Sequence, residues 1–405
     1  MWLNRFKMGT YYQLIFLGNT LCDACLSIRQ RFFELLKERG LDASCVAVLD
    51  LAMVKEGIAT AGASGYSSIW PAFVFYFGGT TITEECLAVL QYLKGNADAI
   101  YPVYFTENEF SDEVPEVLHA INGVLFKEDE LDSIVNVAFE ELRLLRKTRR
   151  VFISYKRSES LAVANQLFDV LSRRQFDVFL DSYSIRGAAD FQAELHHRIT
   201  DSDVLIQLNT PNFKDSYWCN DEISEANARR VGVLQINWPG VNPGDEDQLS
   251  AVRFLKDIDF RRKRWQRNTS TLKSMVLCEI ASKTEEIRAR NIAARQDNLT
   301  GEFVKEAERH GRTIIKGPTS LVELKNNDVC WYYIPTIGVP KSEDCHESVK
   351  MLERRNGKLP DAVYLIYDDL SILSSWIEHL RWLNEYLEVK TIQKREFASW
   401  LESTK

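Results

Sequence analysis

The sequence predicts an α/β protein built on doubly wound, largely parallel sheets, and three observations carry that prediction. From residue 14 onward, short apolar runs alternate with amphipathic stretches, as expected of buried strands and the helices that cover them. The chain then repeats its own order: Val46-Ala47-Val48-Leu49-Asp50 stands opposite Asp177-Val178-Phe179-Leu180-Asp181, and residues 73–77 opposite 204–208, both at an offset of 131 positions. Finally, 405 residues with 45% apolar and 27% charged content supply enough material for two to three separate cores.

Taken in order, the first unit reads as strand 14–17, helix 23–39, strand 45–49, strand 72–77, helix 84–93, strand 101–105 and helix 130–145. The second reads as strand 151–154, helix 161–174, strand 177–180, helix 191–199, strand 204–208, helix 217–229 and strand 233–237. Its first helix is set by Leu161, Ala164, Leu167, Phe168 and Leu171 at helical spacing. A long stretch of alternating charge with few breakers, 272–309, reads as a helical connector. The last segment carries strands at 313–315, 329–334, 362–367 and 389–392 and helices at 371–386 and 396–401, with Pro318, Pro335, Pro340 and Pro360 in its turns. Its tryptophans, Trp331, Trp376, Trp382 and Trp400, read as core. The expected domains are 1–147, 148–265, a connector over 266–310, and 311–405.

Composition narrows the function. No apolar run reaches the 18 residues needed to span a bilayer, and the charged start Met1-Trp2-Leu3-Asn4-Arg5-Phe6-Lys7 is not followed by a signal-peptide stretch. The expectation is a cytoplasmic protein without membrane contact. A net charge of −8 repels nucleic acid, and the one basic run, residues 261–267, reads as a solvated hinge. The eight cysteines are dispersed, so no disulfide framework is expected. Cys22 and Cys25 form a C-x-x-C pair, but no second pair or nearby histidine completes a metal site.

In parallel α/β sheets ligands lie at the carboxyl ends of strands, so the residues that follow each apolar run of the second unit are the informative ones. Val151-Phe152-Ile153-Ser154 runs into Tyr155-Lys156-Arg157, which places two cations at a strand end beside a helix start, a place for an anion. Phe179-Leu180 ends in Asp181, and a loop with Ile185, Arg186 and Gly187 follows, suited to clamping a ligand or a neighbouring subunit. After Asn209-Thr210-Pro211 comes Ser216-Tyr217-Trp218-Cys219-Asn220-Asp221-Glu222. Trp218 and Glu222 are four apart and share one helix face near a helix start, where the dipole favours an ionised carboxylate. His196 and His197 fall on an amphipathic helix and read as surface or core-rim residues.

Together these clusters resemble the TIR family. Residues 152–157 are similar to its first box, 181–187 to its second loop, and Ser216, Trp218, Cys219, Glu222 and Ile223 to its third, in the right order and at fitting distances, while Phe260 echoes its C-terminal aromatic box. The resemblance covers about 110 residues and implies a flavodoxin-like sheet for them. It further implies an NAD-cleaving domain in a multidomain bacterial-style protein, with NAD+ as substrate rather than cofactor and Glu222 as the essential glutamate. By the same resemblance, Lys156, Arg157, Trp218 and Asp181 bind substrate, while Ile185, Arg186 and Gly187 serve self-association. The chemistry fits a single carboxylate: nicotinamide already leaves as a neutral molecule, so Glu222 has only to stabilise an oxocarbenium-like ribose. The implied role is a triggered effector of immune or antiphage defence. Two rivals stand beside it, a non-catalytic TIR scaffold and a nucleotide sensor whose last domain binds the ligand. The first unit has Gly18-Asn19-Thr20 where the cations would be, and no tryptophan ahead of Glu84-Glu85, so it reads as a TIR-like or Rossmann-type domain without catalysis.

Overall fold

The computed structural model describes residues 12–38, 41–79, 82–96, 98–107, 109–182, 189–213, 231–241, 251–317, 320–325, 328–356 and 362–404. These form three five-stranded sheets. The first contains β1 (Tyr12–Gly18), β2 (Val46–Leu49), β3 (Ala72–Phe77), β4 (Ala99–Tyr104) and β5 (Val124–Leu125). Its strand order is β2-β1-β3-β4-β5, parallel throughout. Helices α1 (Asp23–Glu38), α2 (Leu51–Ala59), α3 (Glu84–Gly95) and α4 (Leu131–Glu141) belong to this unit.

The second sheet is made of β6 (Arg150–Tyr155), β7 (Asp177–Ser182), β8 (Val204–Asn209), β9 (Gly232–Asn237) and β10 (Ala251–Phe254), with helices α5 (Arg157–Arg173) and α6 (Ala189–Asp201). Its order is β10-β9-β8-β6-β7, again parallel, so both sheets follow the flavodoxin-like sequence 2-1-3-4-5. The predicted fold class therefore holds for both. The third sheet differs: β11 (Thr313–Lys316), β12 (Leu321–Lys325) and β13 (Asp328–Thr336) are antiparallel, and β14 (Ala362–Tyr367) and β15 (Val389–Gln393) continue from β13 in parallel.

Among the described residues, some elements escape the sequence pattern for physical reasons. β5 is two residues long, and β10 and β12 are short and carry charge within the run. Helix α8 (Ser342–Asn356) carries a narrow stripe of three apolar residues, Cys345, Val349 and Leu352, in a run dominated by charge. Helix α2 follows β2 without a loop: Asp50 ends the strand and its carboxylate accepts from Met53 N at 2.9 Å, so one residue both stops the strand and caps the helix.

Helix α7 (Ser274–Arg309) runs 36 residues and contributes to all three cores. Val276, Leu277, Ile280, Ala281 and Ile287 join the cluster under the second sheet. Ile292 joins the first, and Leu299, Phe303 and Ala307 join the third. Helices α9 (Ser374–Tyr386) and α10 (Phe397–Ser403) belong to the third unit. There Trp331 and Trp400 pack at 5.7 Å with Tyr333 and Tyr364, as a core reading requires. Trp382, in contrast, lies on the surface of α9.

Between Ile287 and its neighbours, α7 carries a buried ionic network. Arg149 bonds Glu140 at 2.9 Å and Glu285 at 2.8 Å, while Arg288 bonds Glu140 at 2.6 Å and Asp203 at 3.0 Å. Arg146 reaches Asp203 from the other side at 2.6 Å. Such charges tie first unit, second unit and helix into one arrangement, and removing one partner of a buried pair typically costs about 3–5 kcal/mol.

Candidate functional site

A doubly wound sheet opens a crevice where consecutive connections leave in opposite directions, here between β6 and β8. β6 is fixed by Val151 and Ile153 on one face and Phe152 on the other, all buried, and delivers Lys156 to that crevice. Lys156 takes the N-cap position of α5 and makes no side-chain cap bond, which leaves its ammonium for other partners. It pairs with Glu159 at 2.8 Å and donates to the carbonyl of Asn212, beyond β8, at 2.9 Å. The Asn212 side-chain amide in turn donates to Glu159 at 3.1 Å. Burial pushes the Glu159 carboxyl up, but hydrogen bonds from Lys156, Thr210 and Asn212 outweigh it and hold the group below the usual glutamate range. A cation, an acid and a loop from the facing strand thus bridge the switch point. Arg157 is exposed and makes no ion pair among the described residues.

Behind this bridge, one face of the sheet changes character along its strands. Phe152, Leu205 and Val233 stand side by side in register, an apolar row shared with Leu195 and Ile199 of α6. Two residues further on, the row is Ser154, Gln207 and Gln235, and two beyond that Asn209 and Asn237, all at most 2% exposed. Asn209 donates to Gln235 at 3.2 Å and to Asn237 at 2.8 Å. Among the described residues, the Gln207 side-chain carbonyl oxygen and the Asn237 amide nitrogen are buried without a hydrogen-bond partner. Glu159 and these amides are the residues that sequence reasoning missed. Their signal was present as a polar residue at every second position of otherwise apolar strands, but only the register places them in rows.

The remaining predicted residues are not brought together by the described part of the chain. Glu222 and Trp218 lie outside the described residues, as do Ile185, Arg186 and Gly187. Asp181 is described in its backbone alone, paired in register with Ser154 on β6. His197 sits at the core rim: burial depresses its pKa, and its Nδ1 accepts from Leu373 N at 3.3 Å. Among the described residues no group of histidine, cysteine and carboxylate side chains could hold a metal ion.

The equivalent crevice of the first unit, between β1 and β3, is sealed. Gly18 ends β1 at φ +80°, and a Cβ there would come within 2.1 Å of the Phe77 carbonyl oxygen. Asn19 N donates to that same oxygen at 2.9 Å. Backbone meets backbone where the second unit places a lysine and an acid. Glu85 lies away on the surface of α3, bound to Lys55 at 2.8 Å. The Cys25 thiol of the C-x-x-C pair is buried, and desolvation with the nearby Cys22 pushes it up to about 11, so it packs rather than reacts.

The family model described as the TIR domain matches residues 151–273. The middle unit is a TIR domain. Its matched segment runs through β6 to β10 and ends just before α7, and Phe260 lies buried within it, bridged to Leu272 and 5.8 Å from Trp238. A comparison with curated proteins finds no significant match. Among solved structures, the tagatose-6-phosphate ketose/aldose isomerase of Escherichia coli is 12% identical with a TM-score of 0.21, over 74% of this chain and 87% of that one. The myo-inositol binding protein of Caulobacter is also 12% identical, with a TM-score of 0.18, over 57% of this chain and 75% of that one. Likenesses this slight carry no argument about the TIR domain or its flanks. Among the described residues, no helix is long and apolar enough to cross a membrane.

Proposed function

We propose that the TIR domain is an NAD+ nucleosidase, cleaving the nicotinamide–ribose bond to release nicotinamide and ADP-ribose or a cyclic isomer, as a triggered effector of antiphage-type defence in the cytoplasm. The observation that carries this reading is Lys156, held at the switch-point crevice of a TIR domain by Glu159 and Asn212. A cation there suits a pyrophosphate, which competes with Glu159 for it. Arg157, exposed at the start of α5, supplies a second charge on the same rim. In this reading Glu222 stabilises the oxocarbenium-like ribose, Trp218 stacks on a ring of the substrate, and Asp181 lines the pocket. NAD+ is the substrate, and neither cofactor nor metal takes part.

The resting tie between Lys156 and Glu159 also suits an enzyme that waits for a trigger, since the pyrophosphate position is filled by a carboxylate until something displaces it. The loop with Ile185, Arg186 and Gly187 joins subunits, and the first unit and the region after α7 regulate rather than catalyse. Incubating the full chain with NAD+ and following free nicotinamide tests the reading. Release that rises more steeply than linearly with protein concentration is the expected result. No release under any crowding condition would leave the domain as a TIR scaffold for signalling.

A further inference from the structure

A cavity of about 220 Å³ lies where the first unit, the TIR domain and the third unit meet, and we propose that it binds a small organic oxyanion, either a phosphate monoester or a carboxylate with a compact apolar body. Its apolar walls are Leu145, Ile292, Ile337 and Met351, drawn from the segment between the first two units, α7, the loop after β13, and α8. Clefts between domains that combine apolar walls with a few polar groups are where small ligands bind.

The charge around the cavity favours an anion. Its lining carries five basic side chains, Arg143, Arg146, Lys147, Arg150 and Lys341, against three acids, Glu343, Asp344 and Glu347. Behind the lining, Arg295 donates to the carbonyls of Ser202 at 3.0 Å and Thr200 at 2.7 Å, with Asp203 and Asp201 near enough to act on its charge. Burial, and then the charge of Arg146, depress its pKa to about 10. An excess of basic over acidic side chains on a cavity lining favours an anion that can reach it.

One donor on the cavity wall remains unspent. Arg146 is committed to the carbonyls of Ile337 and Asp201 and to the carboxylate of Asp203. Lys341 uses its backbone N–H on Asp344 at 2.7 Å, while its ammonium makes no hydrogen bond or ion pair among the described residues. Of the acids on the rim, Glu347 is held by Arg143 at 3.0 Å. An oxyanion reaching Lys341 from within the cavity would touch the third unit and the link into the TIR domain at once, which makes this cavity an entry point for a signal that acts on all three units.

The test is equilibrium binding to the full chain by calorimetry, independent of NAD+ cleavage, with ribose 5-phosphate and benzoate as anionic probes and ribose and benzyl alcohol as their neutral counterparts. One of the anions is expected to bind where its neutral counterpart does not, and which one does so separates ester from carboxylate. Lys341→Gln should weaken that binding about tenfold while leaving the melting temperature of the free protein unchanged. Met351→Trp, which fills the cavity, should remove it. Equal binding of charged and neutral probes at millimolar concentration, or binding unaffected by Lys341→Gln, overturns the proposal.

Discussion

The first unit and the TIR domain share one strand order and differ at one point, the switch between their first and third strands. In the first unit the two strands close on each other through Gly18 and the Phe77 carbonyl. In the TIR domain the corresponding ends are bridged by the side chains of Lys156, Glu159 and Asn212 over a face whose strand ends carry buried amides. Topology provides the place for a ligand, and the residues at the strand ends decide whether the place exists. A fold comparison alone would treat the two switch points alike, and the side chains distinguish them.

The largest expected effect that would break this comparison is Glu222→Gln. On the proposed mechanism it lowers nicotinamide release by about 100- to 1,000-fold, the usual loss for one electrostatic group acting at the transition state, with the melting temperature preserved. Near wild-type turnover would move the chemistry elsewhere. Next comes Gly18→Ala, which places a Cβ against the Phe77 carbonyl at a positive φ and should destabilise the first unit by about 1–3 kcal/mol, seen as a lower melting temperature. An unchanged melt would mean that the seal is looser than its geometry.

A smaller change follows from Lys156→Gln, which should raise KM for NAD+ about tenfold and leave kcat largely intact, since the residue is assigned to ground-state holding of the pyrophosphate. The Lys156–Glu159 tie also predicts a pH response. The Glu159 carboxyl is depressed in the folded protein, so its contribution to stability is present above the ordinary glutamate pKa and is lost as pH falls through the lower folded value. In an acid titration the stability gap between wild type and Glu159→Gln should therefore stay constant above the ordinary glutamate range and close only in acid, and a gap that persisted undiminished in acid or changed above neutrality would contradict the assignment. The smallest effect belongs to Glu85→Gln: its side chain is 65% exposed with a surface lysine as partner, so stability should shift by within about 0.5 kcal/mol and turnover not at all.

Most of the two doubly wound sheets could be read in advance because their strands are buried on both faces and so appear as unbroken apolar runs. Residues 72–77 form a strand in the sequence pattern and in the structure alike. What escaped was whatever depends on a partner far along the chain. Glu159 sits three residues after Lys156 on an ordinary-looking helical turn, and only Asn212, brought over from β8, marks it as part of the site. Gln207 and Gln235 look like interruptions in separate strands until the register sets them side by side. Helix α8 failed for another reason, because its burial is secured by a few residues such as Cys345 and Leu352 amid charge.

The long helix α7 also bears on how the protein comes into being. Translation releases the strands of the TIR sheet well before residues 276–287, yet the apolar cluster beneath that sheet includes Val276, Leu277, Ile280, Ala281 and Ile287. The sheet therefore leaves the ribosome with part of its underside uncovered, and the helix that covers it also carries Glu285 and Arg288, which lock to the first unit. Nascent chains halted before Ile287 should expose the TIR sheet to protease, and maturation of the domain is timed to the arrival of a segment that also belongs to its neighbours. The TIR domain would thus be completed only when the units around it begin to form.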